Sequence, residues 1–255
     1  CQRGGPGLGT IQPSQGDYFQ ACKGGGHGDY RLIVLAPASV QEMHDFVALG
    51  FDLAFKYRNP AMILADGAIG QMMEKVVLAP QRPRKTNEEI AAECRDWATY
   101  GKPADRPRNV VTSLELQSEA MEKINLRLQA KYKAMEENEV RYEALACDDA
   151  DYVIVAFGSS ARICSATVEM ARAEGIRLGM LRPITLYPFP TRPIAELAAR
   201  VKGFLSVELN AGQMVEDVRL AVNGAVPVEH YGRQGGMIYS PDEVLAALKE
   251  KLIKA

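Results

Sequence analysis

The sequence predicts an α/β protein built as two parallel-sheet domains with a helical connector between them. Three observations carry that prediction: short wholly apolar runs, helical apolar spacing between those runs, and a mid-chain stretch where the runs disappear. An apolar run of roughly four to eight residues bounded by turn signals is a strand buried on both faces, as in a parallel sheet covered by helices. With 255 residues the chain can form one large domain or two of about 100 residues each.

The first thirty residues differ from the rest. Nine of the chain's 22 glycines lie between Gly4 and Gly28, interleaved with Pro6, Pro13, Ser14 and Gln15. Such a stretch is a long irregular loop whose backbone comes close to something, and an ordered loop of this length is usually functional. Arg31–Ala36 then reads as a buried strand. Ser39 with Glu42 makes a capping box for a helix running to about Tyr57. Ala61–Ala65 is the next strand, ended by Asp66-Gly67. Strand, helix and strand within about 35 residues form a βαβ unit, hence a parallel pair.

From Pro80 to Pro107 the composition turns to Pro, Arg, Lys, Asn and Glu, a surface connection with one short helix near Glu88–Trp97. Residues 113–146 place Leu114, Leu116, Met121, Ile124, Leu126, Leu128, Tyr132 and Met135 among charges, predicting one long amphipathic helix. A second α/β series follows. Tyr152–Phe157 is a buried strand, and the helix after Gly158-Ser159-Ser160 shows Ile163, Ala166, Met170 and Ala173 at helical steps and ends at Gly175. Ile176–Leu181 is a strand, a Pro-rich stretch runs from Arg182 to Pro193, and a helix reaches about Val201. Gly203–Glu208 is a strand, with Asn210 as candidate cap of the next helix. Val226–Tyr231 is a short or edge strand because of Pro227. Ser240-Pro241-Asp242-Glu243 combines N-cap, Pro at N1 and Glu at N3 to start the final helix. The expected parts are 1–84, a connector 85–147, and 148–255.

A formal net charge of −2 favours neither a nucleic-acid nor an anionic-membrane surface, and no apolar run is long enough to span a bilayer. The start, Cys1-Gln2-Arg3-Gly4-Gly5, has no Met and no signal pattern, so the chain is expected to be cytoplasmic and to begin partway through a domain. Five scattered cysteines (Cys1, Cys22, Cys94, Cys147, Cys164) form no Cys-x-x-Cys pair. An iron–sulfur cluster draws on about four thiolates brought together, so reduced, partly buried thiols are expected.

The segment Arg3-Gly4-Gly5-Pro6-Gly7-Leu8-Gly9-Thr10 is the sharpest motif. Glycines let a backbone run against a ligand, and a guanidinium holds a carboxylate by two parallel hydrogen bonds. It is neither a dinucleotide fingerprint nor a phosphate-binding P-loop, and surface loop glycines beside a solvated arginine remain an equal alternative. Cys22-Lys23-Gly24-Gly25-Gly26-His27-Gly28-Asp29 suggests a metal, but zinc takes three or four ligands and His44 and His230 stand alone in the sequence. No metal is expected, and His27 is read as bonding a substrate or orienting the loop. Gly158-Ser159-Ser160 is either a serine cap or an anion site at a helix N-terminus. Glu208 ends a parallel strand, where ligands tend to sit, and a hydrogen-bonded loop carboxylate is its other role.

Taken together, Gln2-Arg3-Gly4-Gly5-Pro6-Gly7-Leu8-Gly9-Thr10, Gln15-Gly16-Asp17 and Gly26-His27-Gly28-Asp29 resemble the alpha subunits of 2-oxoacid:ferredoxin oxidoreductases, of the 3-methyl-2-oxobutanoate and 2-oxoglutarate types. The second part, through Arg182-Pro183-Ile184-Thr185-Leu186-Tyr187-Pro188-Phe189-Pro190 and Val207-Glu208-Leu209-Asn210-Ala211-Gly212-Gln213, is similar to a transketolase C-terminal domain. The resemblance implies an incomplete thiamine-pyrimidine-type first domain and a transketolase C-terminal-like second. It implies oxidative decarboxylation of a 2-oxoacid on thiamine diphosphate, with coenzyme A as substrate and electrons passed to ferredoxin. The diphosphate is expected on a beta subunit, and iron–sulfur clusters on partner subunits: a gamma subunit and a ferredoxin-like cluster subunit complete the assembly. Arg3 is expected to meet the substrate carboxylate, with Thr10 and His27 beside it and Gly4, Gly5, Gly7 and Gly9 shaping the loop. The family often has Pro-Ser-Thr-Gly where this chain has Pro6-Gly7-Leu8-Gly9, which removes hydroxyl contacts and makes Leu8 a reason to favour a branched-chain acid. The family's first strand and its aminopyrimidine-contacting acidic residue are not found in this chain, so no catalytic residue is assigned and the subunit is expected to be inactive alone. The alternatives are the beta chain of a lipoyl-dependent 2-oxoacid dehydrogenase and a non-catalytic binding module.

Overall fold

The computed structural model describes residues 1–98, 101–102 and 104–254; positions 99, 100 and 103 of the expected 80–107 connection lie outside the described residues. In chain order the elements are α1 (Tyr18–Cys22), β1 (Ile33–Leu35), α2 (Val40–Tyr57), β2 (Ala61–Ile63), α3 (Asn87–Glu93), α4 (Ser118–Asn138), β3 (Tyr142–Leu145), β4 (Tyr152–Val155), α5 (Gly158–Ala173), β5 (Leu178–Pro183), β6 (Thr185–Tyr187), α6 (Thr191–Ala198), β7 (Gly203–Glu208), α7 (Met214–Val222), β8 (Val228–Gly232) and α8 (Pro241–Leu248). Two compact units emerge, one of residues 1–77 with 129–255 and one of residues 78–128.

The smaller unit holds the short helix α3, opened by a full capping box between Thr86 and Glu89. Asn109 ties the chain after it back, donating to the carbonyls of Arg95 and Ala98. The residues expected to start a long helix at 113 are not helical. Leu114 and Leu116 are exposed and α4 begins at Ser118. That helix also ends early, at Asn138, and Tyr142–Leu145 becomes an edge strand antiparallel to β5. The charged run from Glu136 to Arg141 hides the change from a helical to a two-residue period, and the ladder groups of β5 supply what local pattern does not.

In the larger unit a five-stranded sheet runs in the order β3-β5-β4-β7-β8, with β4, β5, β7 and β8 parallel. Strand alternation divides its core. Val153 and Val155 face Ile194 and Leu197 of α6 and Met214 and Val218 of α7. Ile154 and Ala156 face Cys164 and Val168 of α5 and Val244 and Leu248 of α8. Because both faces are covered, the strands read as unbroken apolar runs.

The second sheet, β2-β1-β6, contains one strand that sequence reasoning did not separate from a Pro-rich stretch. Strand β1 is parallel to β2, as the βαβ pattern requires, but antiparallel to β6, so this sheet is mixed rather than purely parallel. Strand β6 lies far along the chain, and its Leu186 and Tyr187 share one core with Val34, Ala36, Leu64, Val153 and Phe157. Arg182, 4% exposed, adds a polar tie: its guanidinium grips both carboxylate oxygens of Glu42 at 2.6 and 2.8 Å and reaches Glu143 at 2.8 Å.

Candidate functional site

In open α/β sheets ligands sit beyond the C-terminal ends of the parallel strands. Here those ends are followed by Phe157-Gly158 after β4, Leu209-Asn210 after β7 and Arg233–Gly236 after β8. The N-terminal segment of the same chain fills that place.

Its innermost residue is Gln15, fully buried. The carboxamide donates to the Phe157 carbonyl at 2.7 Å and accepts from Ser160 Oγ at 2.7 Å and Leu209 N at 3.0 Å. Its main chain donates to the Leu209 carbonyl at 3.0 Å and accepts from Asn210 Nδ2 at 2.8 Å. Ser160 in turn accepts from the phenol of Tyr239, whose ionisation burial pushes up. The start of α5 therefore follows neither simple expectation. Its N-cap, Phe157, has no side-chain bond, and the anion at the helix N-terminus is the chain's own Asp66. That carboxylate, 2% exposed, accepts from Ser159 Oγ at 2.7 Å and N at 3.1 Å, and from Ala68 N and Ile69 N at 2.9 and 3.2 Å. Partial positive charge at a helix start makes this a favourable seat for a carboxylate.

Glu208 is the hydrogen-bonded carboxylate that its position allowed. Fully buried, it accepts from the amides of Gln213, Met214 and Val215 at 3.1, 2.7 and 2.9 Å and so caps α7. Asn210, the expected cap, instead bonds Gly212 N and the Gln15 carbonyl. Glu208 wins because it reaches three free amides with a full charge.

From this clasp residues 3–13 project as a loop. Arg3 bridges Pro13, Gly4 N donates to the Gln12 carbonyl at 2.9 Å, and Thr10 N donates to the Gly4 carbonyl at 2.7 Å. Gly9 has φ +52°, and a Cβ there would lie 1.7 Å from the Gly4 oxygen, so no other residue fits. The exposed Arg3 guanidinium folds over the tip, donating to the carbonyls of Gly7 at 3.0 Å and Gly4 at 3.3 Å. Two of its five N–H groups are thereby used. Leu8 is 95% exposed beside it. Thr10, although exposed, spends its hydroxyl on the protein itself, donating to the Gly235 carbonyl and accepting from Gln12 N, each at 3.3 Å. His27 sits exposed on a separate loop braced by Tyr30, whose hydroxyl accepts from Gly25 N at 3.0 Å. Arg3 and Thr10 are thus brought together, and no bond joins His27 to them.

Sequence reasoning assigned no role to Gln15, Asp66 or Gly236. Asp66 was the most findable, as an acid directly after a parallel strand; Gln15 stood in a motif of the resemblance without a role of its own, and Gly236 carried no signal. A cavity of about 790 Å³, lined by Cys22, Arg31, Tyr187, Phe189, Glu196 and Asp217, includes none of Arg3, Thr10 and His27. Chemistry rather than volume marks the Arg3 loop. Among the described residues no three His, Cys, Asp or Glu side chains converge as metal ligands. Burial pushes the Cys147 and Cys164 thiols up, away from the thiolate form that ligates iron.

Residues 1–142 match the family described as "Pyruvate flavodoxin/ferredoxin oxidoreductase, thiamine diP-bdg", and residues 150–244 match "Pyruvate:ferredoxin oxidoreductase core domain II". A ketoisovalerate oxidoreductase subunit VorB from Methanothermobacter thermautotrophicus is 49% identical over 250 residues, covering 97% of this chain and 68% of that protein. A 2-oxoglutarate synthase subunit KorA from Methanocaldococcus jannaschii is 33% identical over 264 residues, covering 97% of this chain and 71% of its own length. Among solved structures, a 2-oxoglutarate:ferredoxin oxidoreductase from Magnetococcus marinus, with 2-oxoglutarate, coenzyme A and succinyl-CoA bound, superposes with a TM-score of 0.79 at 22% identity. That match covers 98% of this chain and 47% of the solved one, so the chain spans about half the length of that neighbour.

Proposed function

Because the chain belongs to the 2-oxoacid:ferredoxin oxidoreductase family, we propose that it is the alpha-type subunit of an enzyme that oxidatively decarboxylates 3-methyl-2-oxobutanoate to its acyl-CoA, with ferredoxin as electron acceptor. The carrying observation is the Arg3 guanidinium, exposed at the tip of a loop whose base is locked into the C-terminal edge of a parallel sheet. An exposed guanidinium with N–H groups to spare on a braced loop suits a carboxylate, which it holds by charge-assisted bonds. Arg3 is the one basic side chain in residues 3–13, and apolar Leu8 stands next to it. A monocarboxylate with a branched apolar tail fits that pairing better than 2-oxoglutarate, whose second carboxylate would need a second cation. The names of the more distant relatives keep 2-oxoglutarate as the second reading. Family matches over both parts of the chain favour this reading over a lipoyl-dependent dehydrogenase chain or a non-catalytic module.

Among the described residues no three His, Cys, Asp or Glu side chains converge, as the ligands of an iron–sulfur cluster would. In this reading the thiamine diphosphate belongs to a beta subunit, and the clusters to a gamma or ferredoxin-like subunit. What this chain contributes is grip and orientation of the oxoacid. The working organisation keeps 1–84, 85–147 and 148–255, and the two family matches meet close to residue 148. Five free cysteines suit a reducing cytoplasm.

In the assembled enzyme, Arg3→Ala is expected to raise the KM for 3-methyl-2-oxobutanoate at least about tenfold, from a lost pair of about 1.5–3 kcal/mol. The KM for coenzyme A should stay as it was. An unchanged oxoacid KM would remove Arg3, and the reading with it.

A further inference from the structure

We infer that Gly236, more than two hundred residues from Arg3 in sequence, is a positioning residue that holds the Arg3 loop at its working angle. This rests on the proposed role of Arg3 as the carboxylate grip. Gly235 and Gly236 follow β8 and lie backbone to backbone against the loop. A Cβ on Gly4 would come within 2.8 Å of Gly235 C and 2.9 Å of Gly236 N. Reciprocally, a Cβ on Gly236 would lie 2.3 Å from Gln12 Cβ and 2.9 Å from Thr10 Oγ1. Thr10 Oγ1 closes the contact by donating to the Gly235 carbonyl at 3.3 Å. Glycine stands on both sides of the seam because any side chain would force the two segments apart.

The strap is held firmly at both ends. Gly232 pairs with Glu208 in the sheet, and Tyr239, 2% exposed, is bonded to Ser160. The loop is held only at its base and along this seam. Cβ atoms built on Gly5 and Gly7 meet nothing within 4 Å, and Leu8 is 95% exposed. A side chain on Gly236 therefore displaces the loop rather than the strap, and with it the carbonyls of Gly4 and Gly7 that the Arg3 guanidinium bonds. Opening a 2.3 Å clash to ordinary contact, 3.4 Å or more, shifts the loop by about 1 Å. Misplacement on the order of 1 Å is enough to spoil a ligand grip.

The test uses the assembled enzyme. Gly236→Ala is expected to raise the oxoacid KM about tenfold while kcat stays within about twofold and the coenzyme A KM is unchanged. Gly224 has φ +75° with nothing within 4 Å of its added Cβ, so Gly224→Ala imposes similar backbone strain away from the loop and should leave both KM values unchanged. Adding Gln12→Gly to Gly236→Ala removes the 2.3 Å clash, leaves only the 2.9 Å approach to Thr10 Oγ1, and should bring the oxoacid KM back to within about threefold of the parent. Should Gly236→Ala fail to fold, Thr10→Val decides, with an expected KM rise of about threefold from the lost bond to Gly235. A parental KM in Gly236→Ala, or in Thr10→Val where that variant decides, alongside a raised KM in Arg3→Ala overturns this inference and leaves the proposed function standing. Equal KM shifts in Gly236→Ala and Gly224→Ala overturn it too, as backbone strain alone. A parental KM in Arg3→Ala takes down the proposed function, and this inference falls with it.

Discussion

Residues 13–15 and residues 5–11 belong to one glycine-rich stretch, yet Pro13, Ser14 and Gln15 are buried while every residue from Gly5 to Ile11 is exposed. What separates them is where the hydrogen bonds go. Gln15 satisfies its carboxamide and main chain against Phe157, Ser160, Leu209 and Asn210, whereas the bonds of the tip are made within the loop and to Gly235. The buried half resists motion because each of its polar groups would lose a partner in low dielectric. The exposed half is free to meet a ligand because its donors are already in water. One stretch thus supplies both a fixed base and an open grip.

Substitutions should separate the halves. The largest effect is expected at Asp66, whose carboxylate takes four bonds beneath the clasp. Asp66→Ala leaves Ser159, Ala68 and Ile69 donors unpaired and should lower unfolding free energy by about 3 kcal/mol, read from urea midpoints. A loss below about 1 kcal/mol would mean that the buried half is not what anchors the loop.

A smaller effect should come from His230, whose Nε2 is buried without a partner 4.0 Å from Glu208 Oε1. Burial holds its pKa below the usual 6.5, and Lys251 and Arg219 add to that lowering while Glu208 opposes it. Between that depressed pKa and 6.5 the unfolded chain binds more protons than the folded one, so stability is lost as pH falls through this window. His230→Gln should flatten that decline, seen by comparing urea midpoints at about pH 7.5 and about pH 5.5. An equally steep decline in the variant would assign the acid sensitivity elsewhere. Smallest of all is the expected stability change in Arg3→Ala, within about 0.5 kcal/mol, since an exposed side chain loses only bonds that water replaces. A large loss there would make Arg3 part of the base rather than the grip.

Much of this was legible beforehand. The strands at 33–35, 61–63, 152–155, 178–183, 203–208 and 228–232 all overlap runs read from the sequence, and the caps at Ser39 and Ser240 stand where they were read. Ser240-Pro241-Asp242-Glu243 worked because a cap is a bond across three residues, and nothing distant competes with it. The edge strand at 142–145 and the strand at 185–187 were missed because each exists only through a ladder to a remote partner.

Local interactions, short in sequence, determined the alternation of strands and helices, the helix starts and the glycine-borne loop with Arg3 at its head. Tertiary structure alone decided that β6 joins the sheet of β1, that Asp66 occupies the start of α5, and that Gly236 lies against Thr10 and Gln12. The physical reason is range. A capping bond or an apolar period is settled within a few residues, whereas a buried carboxylate or a bare backbone seam has meaning only once chain from the far end has folded against it.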